Sequence, residues 1–257
     1  MRALKISSLF LIATLTISGC TAAEEEPVAT ATPSPVVTQE PEPEPEPEPI
    51  YVTAALTGVE YLEGENLFLE LPAVSAKIDN TSAGRPQLAL NDADIIYVTR
   101  VEVGLTRLLP VWHSRMPAAI GPVRSVRPVD ASIVDPFHGV FVYSGGQVPF
   151  KSAATRTGLV ISDEDTEMNN DTYFRESTRK APWNLFFRSQ SLQELYSEEQ
   201  PVPQAGFAFD LISTAVGEGV VANGLSVNYP QMKSAWDLGT ANFPWAMGLQ
   251  TAWLRSQ

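Results

Sequence analysis

Six arginines between positions 85 and 127 are the strongest chemical signal in this sequence. Three acidic residues share that stretch, so its net charge is +3 within a chain whose net charge is −13. A guanidinium group is planar and can hold a carboxylate or a phosphate through two parallel hydrogen bonds, which an ammonium group cannot do. The cluster therefore predicts a binding site for an anionic group. Its members are Arg85, Arg100, Arg107, Arg115, Arg124 and Arg127.

Arg124 and Arg127 stand on a short segment between two prolines, Pro122 and Pro128. The prolines restrict the backbone on both sides, so they would preset the two guanidinium groups on a loop. A purely structural interpretation stays open, because ion pairs that lock loops together also gather arginines. Its carboxylate partners would be Asp79, Asp94, Glu102 and Asp130.

Asp79 and Asn80 are further candidates for the same site. They follow a predicted strand, and ligand sites in open α/β sheets gather at the carboxyl ends of strands. The alternative is that this pair only forms the turn that stops the strand. The full set of candidate ligand-binding residues is Arg85, Arg100, Arg107, Arg124, Arg127, Asp79 and Asn80.

No residue pattern in the sequence assigns a catalytic group, a metal or a cofactor. The two histidines, His113 and His138, lie 25 positions apart. Ser144 does not stand in a G-x-S-x-G elbow. The acidic run from Asp163 to Asp171 lacks the turn glycine and the bidentate glutamate of a calcium loop, so it predicts a solvated loop.

Cys20 is the only cysteine and carries a different chemistry. Arg2 and Lys5 precede an apolar run from Leu9 to Ile17, and two small residues stand directly before the cysteine, which is typical of a lipoprotein signal. The apolar run is about half the ~20 residues that a spanning helix needs. We expect residues 1–19 to be removed and Cys20 to be lipidated. The acyl chains would anchor the protein at the outer face of the cytoplasmic membrane.

Residues 20–50 predict a disordered tether. Proline alternates with glutamate from Pro41 to Pro49. Proline fixes φ and the carboxylates repel one another, so this stretch favours an extended polyproline II spacer of about 3.1 Å per residue. The acidic balance of the chain also disfavours nucleic acid as a partner.

The elements that must position the arginines are predicted from residue 51 onward. The predicted strands are 73–78, 94–101, 105–113, 139–143 and 159–161, and the predicted helices are 129–134, 149–157 and 191–199. Gly104 would turn the hairpin, and Ser191 would cap the last helix. Residues 51–200 predict one α/β or α+β domain with a mixed sheet and short helices. Residues 201–257 predict an incomplete β-rich domain, with strands that include 205–209 and 225–229.

Several segments of the first domain resemble, in order, the signature blocks of the YerB-like lipoproteins, a bacterial family built on a domain of unknown function. The blocks are Lys77-Ile78-Asp79-Asn80, Arg85-Pro86-Gln87, Ala93 to Tyr97, Leu105-Thr106-Arg107, Ile120 to Pro128 and Pro182-Trp183-Asn184-Leu185. The similarity covers about residues 55–200 and resumes near Tyr229 and Trp236, where the resemblance implies a smaller β-rich domain. The chain departs from the family pattern at Val98 and at Glu102-Val103-Gly104. It stops at Gln257, so we expect the second domain to be truncated.

The resemblance implies no reaction, so the functional prediction rests on the residues. They predict a membrane-anchored extracytoplasmic lipoprotein that binds an anionic cell-wall or lipid-phosphate group through the arginine cluster. One alternative is a cell-envelope phosphotransferase-like enzyme, which would need a carboxylate beside the arginines. Another is a non-catalytic scaffold that meets a second envelope protein. Convergence of Arg107, Arg124 and Arg127 together with a carboxylate would favour the enzyme. Convergence without a carboxylate would favour the binding site, and dispersal would favour the scaffold.

Overall fold

The computed structural model describes residues 47–164, 171–209, 222–230, 232–242 and 249–256. The predicted signal peptide, Cys20 and nearly all of the predicted tether lie outside these ranges, as does most of the acidic run that follows Asp163. None of the helices in the described ranges has the length and apolarity needed to cross a bilayer.

A mixed six-stranded sheet forms the centre of the domain. Its strands are β3 (Val74–Ala76), β4 (Ile78–Asp79), β5 (Ile95–Arg100), β6 (Thr106–Trp112), β7 (Val140–Tyr143) and β8 (Val160–Asp163). β6 runs antiparallel to β3, β4 and β5, whereas β3, β7 and β8 pair in parallel. The predicted fold class, a mixed sheet with short helices, is confirmed.

β3 and β4 are two parts of one strand that share a single register against β6. Val74 pairs with Trp112, and Asp79 pairs with Arg107. The same register places Ala76 opposite Pro110, which has no N–H group to donate to the ladder. On the other side of the strand, the backbone N–H of Lys77 continues the parallel pairing with β7 by donating to Val142 O at 2.9 Å. A proline inside β6 thus explains why the strand is interrupted.

The segment from Pro122 to Val126 is inserted between the ends of β4 and β7. On one side, Arg124 N donates to Lys77 O at 2.8 Å, and Asp79 N donates to Pro122 O at 3.1 Å. On the other side, Ser144 N donates to Arg124 O at 3.0 Å. The backbone of this segment is therefore held by hydrogen bonds to both neighbouring strands, which fixes the position of its side chains.

Both faces of the sheet are buried, as expected for a sheet with parallel strands. On β7, Val140 and Val142 join one apolar cluster, and Phe141 and Tyr143 join the other. The second cluster is covered by helices α1 (Asp130–Val134) and α2 (Val148–Ala154). The first is covered by a hairpin of β9 (Tyr173–Arg175) and β10 (Leu185–Phe187) and by helix α3 (Ser189–Leu195).

Two further sheets lie outside the central one. β1 (Tyr51–Thr53) and β2 (Glu60–Leu62) form a short hairpin. β11 (Gly224–Tyr229), β12 (Met232–Asn242) and β13 (Leu249–Ser256) form an antiparallel sheet, in agreement with the β-rich C-terminal segment predicted from the sequence.

Two sequence predictions about local structure are wrong. The last helix begins at Ser189, and no side chain caps it, so Ser191 does not act as its cap. The Ser189 hydroxyl instead donates to Pro117 O. Residues 205–209 form no strand. Phe209 packs against Gly58, so the apolar alternation there reflects a contact between loops.

Candidate functional site

The carboxyl ends of β4, β5, β7 and β8 lie along one edge of the central sheet. Because β6 is antiparallel to β4 and β5, its first residues, Thr106 and Arg107, lie at the same edge. The inserted segment with Arg124 and Arg127 crosses this edge between β4 and β7. Clefts at such edges are the usual ligand sites of open α/β sheets. We call the group of Arg107, Arg124 and Arg127 the arginine edge.

Arg107 stands between two strands, with Asp79 and Thr99 as its cross-strand neighbours. Its guanidinium Nη1 donates to the backbone oxygen of Ser125 at 2.7 Å and to the Ser125 hydroxyl at 3.1 Å. Within the described part of the chain, Arg107 forms no ion pair. Burial, together with the positive charges of Arg127 and Arg124, lowers the pKa of Arg107 to about 10, although the charges of Asp79 and Glu102 oppose this shift. The positive charge of Arg107 is thus incompletely compensated.

Arg127 reaches the same serine from the other side. Its Nη1 lies 3.3 Å from the Ser125 backbone oxygen and 3.2 Å from the hydroxyl. Its Nε and Nη2 bind the carboxylate of Glu102 at 2.8 Å. Hydrogen bonding to Arg127 lowers the pKa of Glu102, although the carboxylate is 56% exposed. Arg107 and Arg127 therefore converge on Ser125, and only one of them has a carboxylate partner.

Arg124 belongs to the same group but has a buried partner. Its Nε lies 2.8 Å from Asp79 Oδ2, a contact without hydrogen-bond alignment that acts as an ion pair. The Asp79 carboxylate is only 1% exposed, and its Oδ1 accepts from the Thr81 N–H at 2.7 Å and from the Thr81 hydroxyl at 2.5 Å. The guanidinium also lies 5.9 Å from the centre of the Trp183 ring. Asp79 therefore acts mainly as a structural anchor for Arg124.

Trp183 adds an unused donor beside Arg124. Its indole Nε1 is buried and has no acceptor among the described residues. Buried N–H groups in folded proteins are normally paired, so an unpaired one requires an explanation. An anionic ligand held by Arg124 would supply an acceptor in this region.

The other candidate residues divide between this edge and the rest of the molecule. Asn80 donates to the Thr106 hydroxyl at 2.7 Å, and Arg85 Nη2 donates to Asn80 Oδ1 at 3.3 Å, so both lie next to the arginine edge. Arg100 is exposed at the end of β5. Arg115 lies beyond the other end of β6, with its Nη2 3.9 Å from Asp94. The structure therefore brings most of the candidate ligand-binding residues together, whereas Arg115, which belongs to the arginine cluster but not to that candidate set, lies apart from them.

Three of the four carboxylates named as structural partners do pair with arginines: Asp79 with Arg124, Asp94 with Arg115 and Glu102 with Arg127. The fourth, Asp130, pairs with Lys77 at 2.5 Å, and both side chains are fully buried. Burial raises the pKa of Asp130 and lowers the pKa of Lys77. Asp130 also accepts from the Arg127 N–H at 2.7 Å, so this ion pair supports the inserted segment.

The sequence reasoning missed Lys77 as part of the site. The available signal was a single lysine within an apolar strand, since a fully buried lysine needs an anionic partner. Its amino group also donates to the Thr99 hydroxyl at 2.6 Å. Lys77 and Asp130 thus form a polar layer directly beneath the arginine edge.

Comparison with known proteins places this geometry in a wider context. The model of the protein of unknown function (DUF3048) N-terminal domain matches residues 56–202. A curated protein of Bacillus subtilis (strain 168), named "Putative lipoprotein YerB", is 29% identical over 133 residues. That alignment covers 52% of this chain and 39% of the relative, so the match spans about two fifths of the relative's length.

A solved structure shares the fold. The crystal structure of the YerB protein from Bacillus subtilis matches with a TM-score of 0.60 and 18% sequence identity. The match covers 80% of this chain and 69% of that chain. At this level of identity, the match shows a common architecture.

Proposed function

This chain belongs to the family of the DUF3048 N-terminal domain, and we propose that it is an extracytoplasmic lipoprotein that binds a phosphate-bearing group of the cell envelope at the arginine edge. The lipoprotein part of the proposal is supported by the signal that ends at Cys20 and by the name of the Bacillus relative. Lipidation of Cys20 would anchor the mature chain at the outer face of the cytoplasmic membrane.

The observation that carries the binding proposal is the charge of Arg107. Three guanidinium groups gather around Ser125 and Asp79, whereas two carboxylates in this group pair with them. Like charges at short range repel strongly where water is partly excluded. A bound anion would remove this repulsion, and it would raise the pKa of Arg107 towards its ordinary value.

A phosphate or pyrophosphate group fits the donors better than a single carboxylate. Arg107 and Arg127 both donate to Ser125 from different elements, and the unused Trp183 donor lies beside the third guanidinium. A phosphate offers several acceptor oxygens and more charge than a carboxylate. It can therefore bind several guanidinium groups at once.

Two carboxylates, Asp79 and Glu102, lie beside the converging arginines, as the phosphotransferase-like alternative requires, but both are held in ion pairs. Asp79 accepts two hydrogen bonds from Thr81 and pairs with Arg124. Glu102 is held by two nitrogens of Arg127. A catalytic role for either carboxylate would first require these ion pairs to break. The non-catalytic binding site is therefore the function that this geometry supports best.

The proposal is tested by calorimetric titration of inorganic pyrophosphate into the full lipidated chain in detergent. We expect binding that Arg107→Met weakens at least tenfold, since a charge-assisted hydrogen bond contributes about 1.5–3 kcal/mol. Arg115→Met is the matched control because Arg115 lies beyond the other end of β6. Absence of pyrophosphate binding, or equal weakening by both variants, would contradict the proposal.

A further inference from the structure

The two most exposed large apolar side chains of the described residues both lie beside the arginine edge. Val148 is 76% exposed and Val103 is 75% exposed. Val103 follows Glu102, the partner of Arg127. Val148 begins α2, directly after the loop in which Gly145 O accepts from Val126 N at 3.1 Å. Val129, two residues after Arg127, is also exposed.

Val103 is also conformationally strained. It lies in the turn between β5 and β6 with a φ of 58°, and the next residue, Gly104, has a φ of 74°. Turns with two successive left-handed residues favour Asn-Gly or Asp-Gly, and a β-branched residue with positive φ is an outlier. Its exposed side chain gains little from packing in the isolated protein. Such strain is maintained where it serves another purpose.

Exposed valine side chains next to a cationic group are complementary to the surface of an anionic bilayer. Lipid phosphates would bind the exposed parts of the guanidinium groups, and the exposed valine side chains would enter the boundary with the acyl chains. The chain as a whole has a net charge of −13, so an anionic membrane repels most of the protein. At the arginine edge, three guanidinium groups face two paired carboxylates, so this edge carries a net positive charge that such a membrane attracts.

We propose that the arginine edge docks onto the anionic membrane surface, with lipid phosphates on Arg107 and Arg127 and with Val103 and Val148 inserted at the acyl boundary. This inference rests on the proposed function and identifies its ligand as a lipid headgroup within a bilayer. Because the proposed anchor holds the domain near the same membrane, a weak interaction is enough to populate the docked state.

The absence of other cysteines allows a direct test of insertion. Cys20 is the only cysteine and its thiol is consumed by lipidation, so Val103→Cys provides a single site for an environment-sensitive fluorophore. The control site is Leu67, which is 65% exposed. It follows Asn66, whose side chain binds Ser114 O at 2.9 Å beyond the other end of β6. The label at Leu67→Cys therefore reports on the opposite edge of the sheet.

The labelled full chains are reconstituted in two kinds of vesicle, pure phosphatidylcholine and equal parts of phosphatidylcholine and phosphatidylglycerol. We expect the label at position 103 to shift to the blue and to be quenched by lipid-borne quenchers only in the anionic vesicles. Arg107→Met and high salt should reverse the shift, because screening weakens exposed charges. Equal emission at positions 103 and 67, or equal emission in both vesicles, would overturn the proposal.

A second variant separates docking from folding and from anion binding. Val103→Asn places a residue that tolerates positive φ in the turn, so its melting temperature should rise. A docked valine contributes roughly 1.5 kcal/mol, so the equilibrium constant for docking, followed with the fluorophore at Val148→Cys, should fall about tenfold. Pyrophosphate binding should stay unchanged.

If pyrophosphate binds but the label remains in water, the docking inference fails and the proposed function stands. If the label inserts without pyrophosphate binding, the soluble-anion proposal fails.

Discussion

Arg107 and Arg124 lie in the same cluster, yet their removal should have opposite consequences. Arg124 pairs with a carboxylate that is 1% exposed, whereas Arg107 forms no ion pair among the described residues. Methionine at either position keeps most of the side-chain volume and removes the charge. The pair Arg107→Met and Arg124→Met therefore separates a guanidinium that serves only a ligand from one that also stabilises the fold.

The expected stability change for Arg124→Met follows from the surroundings of Asp79. Breaking a buried ion pair costs about 3–5 kcal/mol. Here Thr81 still donates two hydrogen bonds to Asp79 Oδ1, and the Arg124 side chain is 21% exposed. The Asp79 carboxylate therefore keeps part of its stabilisation when Arg124 is removed. We expect a loss of about 2–3 kcal/mol. For a domain of this size, each kcal/mol lowers the Tm by about 2–4 °C, so the Tm should fall by about 5–10 °C.

Arg107→Met should leave the free energy of unfolding nearly unchanged. Ser125 keeps its contacts with Arg127 at 3.3 and 3.2 Å. The folded-state pKa of Arg107 is about 10, well below its ordinary value, because burial and the neighbouring guanidinium groups disfavour the charged form. Just above pH 10 the unfolded chain therefore binds more protons than the folded one, and at lower pH the charge opposes folding. Its removal should change stability by no more than about 0.5 kcal/mol, or increase it slightly.

Thermal melts near neutral pH and pyrophosphate titrations on the same preparations test this reasoning. Arg107→Met should melt like the parent protein and bind pyrophosphate at least tenfold more weakly, by loss of about 1.5–3 kcal/mol. If Arg107→Met lowers the Tm as much as Arg124→Met does, Arg107 is a structural residue. A variant that melts normally and binds pyrophosphate like the parent would equally refute the site.

Further predictions concern the anchor, the tether, the buried pair and the strained turn. Cys20→Ser should move the protein from the membrane fraction to a soluble or uncleaved form, and firm membrane binding of a processed variant would contradict this. Limited proteolysis should cut within residues 21–50 before the domain, and a mature chain that stays intact would count against a tether. Lys77→Met should cost about 3–5 kcal/mol in chemical denaturation, whereas Lys77→Met with Asp130→Asn should recover most of it. Failure of the double variant to recover would mean that the charge of Asp130 is not the cause. Val103→Asn should stabilise the domain by about 1 kcal/mol, and an unchanged Tm would mean that the turn is not strained.

The strands of the central sheet could be predicted because their signals are local. β-branched runs interrupted by a turn at Gly104 predict the hairpin of β5 and β6, which the structure contains. The last helix was predicted over 191–199 but spans Ser189–Leu195, because tertiary contacts influence where it begins. Ser189 binds the Pro117 backbone oxygen 72 positions earlier, and no local pattern encodes that contact.

The composition of the site could be predicted, but its internal pairing could not. Arginine type and number were visible in the sequence, as was the proline-bounded segment. The convergence of Arg107 with Arg127 depends on the insertion of residues 122–126 between β4 and β7, which no periodicity indicates. Lys77 and Asp130 are 53 positions apart, so their pairing follows from topology alone.

Two energetically unfavourable features occur at the same edge of this sheet, and the fact that they occur together favours a functional explanation. The positive charge of Arg107 is repelled by those of Arg124 and Arg127. The apolar side chain of Val103 is exposed to solvent, and its backbone has a strained positive φ. Neither feature improves the isolated fold, and each would be relieved by the same partner, because lipid phosphates neutralise the charge and the acyl boundary receives the valine. In natural proteins, local backbone preference, packing and electrostatics usually favour the same structure, and exceptions are expected at functional sites. A membrane-facing edge explains both features together, whereas a purely structural role for the arginines would leave the strained valine unexplained.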